Sequence, residues 1–249
     1  MANSITNLIA KRPIDAFVIT ATHEISRLPN IEFLKKQLPS LQIIEAIYPS
    51  RQKIPFLKKL IAVSGTRTGK CLNHGEIGVL LSNRKIWRQI VASSNADNNF
   101  FLILESDSVI NDIAVLESHF HSLTSEYDLF FFGGWLGHIK LLRSTKMKVN
   151  NTFSVGEPYI KTICSGYGYA LNKKTAKYLL QQTNKIAYPA DEFKKYIEPG
   201  KLNIGAVVPE LISQGDGTTT IGHNGLPSFF EMLWLFILDI RNSIICNFK

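Results

Sequence analysis

Cysteine is scarce in this chain. Its three copies, Cys71, Cys164 and Cys246, are far apart and odd in number. Neither a disulfide framework nor a metal-type spacing can be drawn from them, and they read as small apolar residues in a reducing compartment. Long uncharged apolar runs are also missing, so no segment is expected to cross a membrane. The N-terminus has no apolar core of the signal-peptide kind, because Lys11, Arg12 and Asp15 follow a weakly apolar start. Secretion by that route is not expected, and an intracellular location is.

Several chemistries are absent at the level of motifs. There is no nucleophile elbow, no His-Glu-x-x-His, no low-complexity tract and no repeat of solenoid period. Gly65-Thr66-Arg67-Thr68-Gly69-Lys70 imitates a phosphate loop but is one residue short between its glycines. Cys71 stands where the Ser or Thr that holds magnesium would be. Gly166-Tyr167-Gly168 lacks the third glycine of a dinucleotide fingerprint and opens no helix directly. Aromatic residues are not interleaved with basic ones, which argues against RNA recognition.

What is present is an ordinary globular composition. The 249 residues are 45% hydrophobic and 19% charged, enough for one large α/β domain or for one with an appendage. The net charge of +8 favours anionic partners: nucleotide phosphates, nucleic acid or an acidic membrane surface.

The chain is organised around Phe100-Phe101-Leu102-Ile103-Leu104-Glu105-Ser106-Asp107-Ser108. Five apolar residues without polar alternation predict a strand buried on both faces, as in a sheet covered by helices on each side. Ligands gather at the carboxyl ends of such strands. Glu105 and Asp107 stand at that end. An acid-x-acid pair there can hold a hard divalent cation through oxygen, and through it a phosphate. It can equally be two solvated carboxylates closing a strand.

Further strands are expected at Ile14 to Thr20, Leu41 to Ile47, Tyr127 to Phe132, Ile163 to Leu171 and Leu202 to Pro209. The clearest helix is Leu72 to Ser93, with Ile77, Leu80, Leu81, Trp87, Ile90 and Val91 at helical spacing and Arg84, Lys85, Arg88 and Gln89 on the other face. Asn172 should cap a helix reaching Gln182. Tyr48 to Lys70 reads as a basic loop with one short helix, 135–160 as a hairpin or lid, and Ser213 to Gly225 as a polar loop. Ser228 to Phe248 is crowded with large apolar residues, interrupted by Glu231, Asp239 and Arg241. On a helical wheel Ser228, Glu231, Asp239 and Asn242 share one narrow polar face. The broad apolar surface must be buried in the core, in a partner or in a membrane interface.

Taken in order, several of these stretches resemble glycosyltransferase family 25, which contains bacterial lipooligosaccharide galactosyltransferases and the collagen galactosyltransferases. Phe17-Val18-Ile19-Thr20, with Arg27 seven residues on, resembles the family's opening strand and its arginine. Glu45-Ala46-Ile47 resembles the end of its second strand. Gly75-Glu76-Ile77-Gly78-Val79-Leu80-Leu81-Ser82, followed by Trp87, resembles its Gly-Glu-x-Gly…Ser-His…Trp helix, with Asn83 in place of the His. Leu104-Glu105-Ser106-Asp107 resembles its Leu-Glu-Asp-Asp, with Ser106 in place of the middle Asp. Gly166 to Leu180 resembles its glycine-tyrosine strand and the helix after it, and Pro189-Ala190-Asp191 its late Pro-x-Asp.

The resemblance implies a single α/β domain of GT-A type, with a Rossmann-like, mostly parallel sheet, over residues 1–225. An apolar amphipathic segment, 226–249, would follow. It implies metal-assisted transfer of a hexose, most simply galactose with inversion, from a UDP-sugar to a lipooligosaccharide or lipopolysaccharide acceptor. The cofactor would be Mn²⁺ or Mg²⁺. Thr20, Arg27, Gly75, Gly78, Ser82 and Asp107 would bind the nucleotide sugar. Asp107, Glu105 and His223 would be metal ligands, Glu105 being either a second ligand or a sugar contact. Asp191 would be the general base, unless it simply caps the turn at Glu192-Phe193-Lys194. The expected setting is the cytoplasm or the cytoplasmic face of the inner membrane, with the C-terminal segment touching anionic lipid. The two departures, Asn83 and Ser106, keep open a second outcome: a catalytically impaired module that binds nucleotide sugar or glycan.

Overall fold

The structure is a computed structural model that describes residues 12–94, 97–134, 139–149, 151–164, 166–215 and 229–249. Its centre is an eight-stranded sheet. Strand β1 (Asp15–Thr20) lies between β2 (Leu41–Glu45) and β3 (Phe101–Glu105), parallel to both. Beyond β3 come β8 (Gly168–Leu171), β5 (Leu129–Phe131), β9 (Ile204–Val208), β7 (Ser154–Gly156) and β6 (Met147–Lys148). Strands β4 (Ser108–Ile110) and β10 (Ile212–Gln214) form a separate antiparallel pair.

The expected mostly parallel sheet is therefore mixed. Strands β2, β1, β3, β5 and β9 run one way, while β8 and β7 run against their neighbours. The reversal at β8 has a physical cause. The chain reaches it through the β6–β7 hairpin and a short 3-10 turn at Ile160–Thr162, and among the described residues no helix crosses over the sheet on the way. A parallel neighbour would need such a crossover.

Helices cover both faces. The unbroken apolar run of β3 follows from this, because its alternate residues feed two separate cores. Phe101 and Ile103 pack with Ile77, Leu80 and Trp87 of α3 (His74–Ala92) and with Leu179 of α5 (Lys173–Gln182). Leu102 and Leu104 pack with Ile31 and Leu34 of α1 (Leu28–Gln37) and with Leu116 and Phe120 of α4 (Ile113–Ser125). Each fully buried side chain of this size contributes about 1.5–3 kcal/mol.

The start of α3 is set by a capping box. The Asn73 side chain accepts from the Glu76 amide at 2.8 Å, and the Glu76 carboxylate accepts from the Asn73 amide at 2.7 Å. Asn172 caps α5 as its sequence position predicts, accepting from the Thr175 amide at 2.9 Å. Arg84, expected on the outer face of α3, is instead buried. Its guanidinium donates to the Leu180 carbonyl at 2.9 Å and to the Thr183 hydroxyl, satisfying the end of α5 where the two helices pack.

The segment 48–70 is more ordered than its composition suggests. Helix α2 (Leu57–Thr68) spans 12 residues and ends at Gly69 in the left-handed conformation. The phosphate-loop imitation is thus the last turn and cap of a helix. Likewise Gly166-Tyr167-Gly168 leads into strand β8 and not into a helix. A one-turn helix, α6 (Phe193–Tyr196), follows α5, and the chain closes with α7 (Phe229–Phe248).

Candidate functional site

The parallel strands β1, β2 and β3 end at the same edge of the sheet. The register sets Thr20 beside Glu45 and Ile19 beside Glu105. Over that edge lies a cavity of about 650 Å³. Its walls are the ends of these strands, the turn after β1, the segment after β2 and the first turns of α3.

The acidic turn after β3 is held by its own backbone groups. The Ser108 hydroxyl accepts from the Glu105 amide at 2.9 Å and donates to the Tyr167 carbonyl. Asn30, on α1, donates to the carbonyls of Ser106 and Ser108 at 2.9 and 3.0 Å. The Gly215 amide donates to the Asp107 carbonyl at 2.8 Å. Every carbonyl from 106 to 108 is thereby satisfied, and the turn presents Glu105, Ser106 and Asp107 to the cavity. Ser106 serves through its backbone, which needs no carboxylate.

Arg27 closes a short 3-10 turn, Ile25–Arg27, that precedes α1. It is buried, and its Nη2 lies 3.8 Å from Oδ2 of Asp107, with both side chains about nine-tenths covered. Gln214, at the end of β10, donates to the same Oδ2 at 3.2 Å. Glu105 is in a different state. Burial first, then the charges of Asp107 and Asp191, push its carboxyl up to about 8, against the opposing pull of Arg27. Glu105 is therefore mainly protonated at neutral pH in the protein alone. The backbone of Gly166 runs so close to it that a Cβ there would stand 2.5 Å from Oε1.

The structure gathers Thr20, Arg27, Gly75, Ser82, Glu105 and Asp107 around the cavity. The Thr20 hydroxyl is buried and has no hydrogen-bond partner among the described residues. Gly75 lies in the first turn of α3, where the backbone amides have no preceding helical carbonyl and the helix dipole is positive.

Ser82 and Gly78 have a further task. The Ser82 hydroxyl accepts from the Ile47 amide at 2.8 Å and donates to the Gly78 carbonyl at 2.8 Å. A Cβ on Gly78 would meet the Ile47 carbonyl oxygen and stand 2.9 Å from Cδ of Pro49. Both residues hold the segment after β2 against α3.

Asp191 does not line the cavity. It lies near enough to Glu105 for its charge to raise that carboxyl, with Cys164 Sγ at 4.0 Å from its Oδ2. Its own pKa is raised, chiefly by burial and further by Glu192 and Glu76, against its own backbone hydrogen bond and Lys194. It is not the cap of α6: Glu192 holds that position, with no capping hydrogen bond from its side chain. The expected ligand His223 lies outside the described residues. Among the described residues there is no group of three or more His, Cys, Asp or Glu arranged to hold a metal.

Sequence reading missed four contributors. Asn30 and Gln214 act on the acidic turn from distant parts of the chain. Glu24 accepts from the Tyr48 hydroxyl at 2.5 Å, and both line the cavity. The side chain of Tyr48 also meets the ring of His23 edge-on, with centroids 4.5 Å apart. Of these only Tyr48 carried a local signal, as an aromatic residue just past a strand end.

The sequence model of glycosyltransferase family 25, described as LPS biosynthesis proteins, matches residues 14–194. The chain belongs to glycosyltransferase family 25. A search of the curated proteins finds no match. The matched span contains β1 to β3, the capped helix α3, the acidic turn and Asp191, so the family 25 segment supplies every lining residue of the cavity except Gln214. Asn83, where the family usually has His, is accounted for by packing. Its Oδ1 accepts from the Tyr169 hydroxyl at 2.6 Å, that hydroxyl accepts from Trp87 Nε1 at 3.1 Å, and Asn83 Nδ2 donates to the Val79 carbonyl. It is buried and does not line the cavity.

Proposed function

We propose that this glycosyltransferase moves a hexose, most simply galactose, from a UDP-sugar to a lipopolysaccharide or lipooligosaccharide acceptor. In this proposal the cavity at the ends of β1, β2 and β3 is the donor site, in a fold of GT-A type. The observation that carries the proposal is the braced acidic turn. Two carboxyl groups stand where a parallel sheet gathers its ligands. Beside them are a buried arginine and the positive end of a 19-residue helix.

In this proposal two oxygen donors of the acidic turn, Glu105 and Asp107, hold a divalent cation whose remaining positions the diphosphate fills. Besides Glu105, which is mainly neutral, the carboxyl groups of Glu24 and Asp107 line the cavity against one arginine, Arg27. A diphosphate entering alone would meet net negative charge. Oxygen donors of this kind suit Mg²⁺ or Mn²⁺. Asp107 would hold the ion, with Glu105 as second ligand or as a contact to the sugar. When bound, the ion supplies Lewis-acid stabilisation of the charge that develops on the leaving diphosphate.

The chain's own groups do the rest. Arg27 offers a fixed guanidinium to the diphosphate and keeps Asp107 oriented. The first-turn amides of α3, at His74 and Gly75, offer hydrogen bonds to an anionic oxygen. The Thr20 hydroxyl offers a donor that nothing described on the protein uses. In an inverting transfer the acceptor hydroxyl loses its proton as the new bond forms to the anomeric carbon, and UDP departs on the opposite side. In this proposal Asp191 is the base and meets the acceptor hydroxyl outside the donor cavity, which it does not line, its raised pKa making it a stronger proton acceptor than an exposed aspartate.

The test is a screen of nucleotide sugars for release of the nucleoside diphosphate, with and without Mn²⁺, using lipopolysaccharide as acceptor. UDP release that depends on acceptor and metal is expected. Binding of UDP without turnover of any donor would replace the proposal with a binding module of the same fold.

A further inference from the structure

The last helix is mounted with its polar side inward. Asp239 pairs with Lys140 on the body at 3.0 Å, and one helical heptad later Cys246 is buried where its carbonyl accepts from the Arg143 amide at 3.0 Å. The opposite side of α7 is apolar and open. Leu233, Ile237, Ile240, Ile244 and Phe248 fall on one stripe at helical spacing, all exposed, with Trp234 at 61% and Phe236 at 63% beside it. Among the described residues no helix is long and apolar enough to cross a membrane. A helix whose acidic Asp239 faces the protein and whose exposed stripe is large and apolar is built to enter something else.

Charge decides what that is. Arg241 is exposed on the open side of α7. Next to its last turns the body continues from Arg143 into an exposed segment with Lys146 and Lys148, which also offers exposed Met147 and Val149. Lys249 lies over the Tyr159 ring, 5.8 Å from its centroid. Glu157, whose amide donates to the Thr145 hydroxyl at 2.9 Å, is an exposed acid beside this segment. A second copy of this chain, itself at +8, would bring these cations against each other. An anionic bilayer surface meets both the apolar stripe and the basic flank.

We propose that α7 is a membrane-interface helix that seats the protein on anionic phospholipid, with its outer face at the headgroup–acyl boundary. This assignment stands independently of the donor-site reading. The experiment is sedimentation of the full chain with phosphatidylcholine vesicles and with vesicles that also contain phosphatidylglycerol. Trp234→Ser/Ile240→Ser and Arg241→Glu serve as variants. Their side chains are exposed, and an unchanged melting temperature verifies the fold. The wild type should bind the anionic vesicles at least about tenfold better than the neutral ones, and each variant should lose about tenfold. Equal binding by wild type and variants would overturn the proposal, as would no binding to anionic vesicles. So would a wild-type dimer in analytical ultracentrifugation that the Ser variant abolishes, since a second copy would then be the occupant.

Discussion

Ser82 on α3 holds Ile47, the residue two positions past the end of β2, through a 2.8 Å hydrogen bond from the Ile47 amide. One helical turn earlier, Gly78 leaves no room for a side chain against that same residue and Pro49. This pair of contacts fixes the segment from Ala46 to Ser50, which is one wall of the cavity. Gly78→Ala tests the arrangement. In an open helix that change would stabilise by about 1 kcal/mol. Here the added methyl meets backbone, so a loss of about 1–3 kcal/mol is expected by chemical denaturation, together with weaker binding of nucleotide. A stabilised variant would show that α3 and the segment after β2 are not in contact.

Glu105 gives the protein a characteristic response to pH. Its carboxyl titrates near 8 in the fold against about 4.5 for an ordinary glutamate. Between those values the folded state holds a proton that the unfolded chain releases. Stability contributed by this group is therefore complete at acid pH and is lost as pH rises toward 8. Glu105→Gln removes the titration. Melting temperatures followed from pH 5 to pH 9, spanning about the titration range, should show the variant gaining on the wild type as pH rises, with little difference at the acid end. A difference independent of pH would refute the raised value.

Asn83 separates stability from catalysis. Asn83→Leu removes the acceptor of the Tyr169 hydroxyl in a site closed to water. A cost of about 1–3 kcal/mol is expected, read from denaturant midpoints. Turnover per folded molecule should stay close to that of the wild type, because Asn83 lies outside the cavity wall. Loss of turnover with stability intact would reassign it to the site.

Much of this was legible in the sequence, for reasons that differ from element to element. The run Phe101–Glu105 announced a doubly covered strand because both sets of alternate residues are apolar, and both sets do meet helices. The helix α3 was legible from its period and α5 from its cap. The reversed strand β8 was not, because the direction of a four-residue strand depends on the path of the chain before it and not on its own residues. Arg84 was misplaced because helical period alone cannot see that α5 ends opposite it. At the site, Glu105 and Asp107 stood out as a pair. Their supports did not: Asn30 and Gln214 reach the acidic turn across 76 and 107 positions of sequence. Only the folded topology brings them there.

The central claim is that the braced acidic turn is the donor site of a sugar transferase. Asp107→Asn tests it most directly, since it keeps the shape of the side chain and removes the charge that faces Arg27. The measurement is UDP release from the best donor in the presence of acceptor and Mn²⁺, alongside the melting temperature. The expected result is a fall in kcat/KM of at least about 100-fold, with the melting temperature moved by less than about 4 °C. Near-normal turnover by the folded variant would contradict the account.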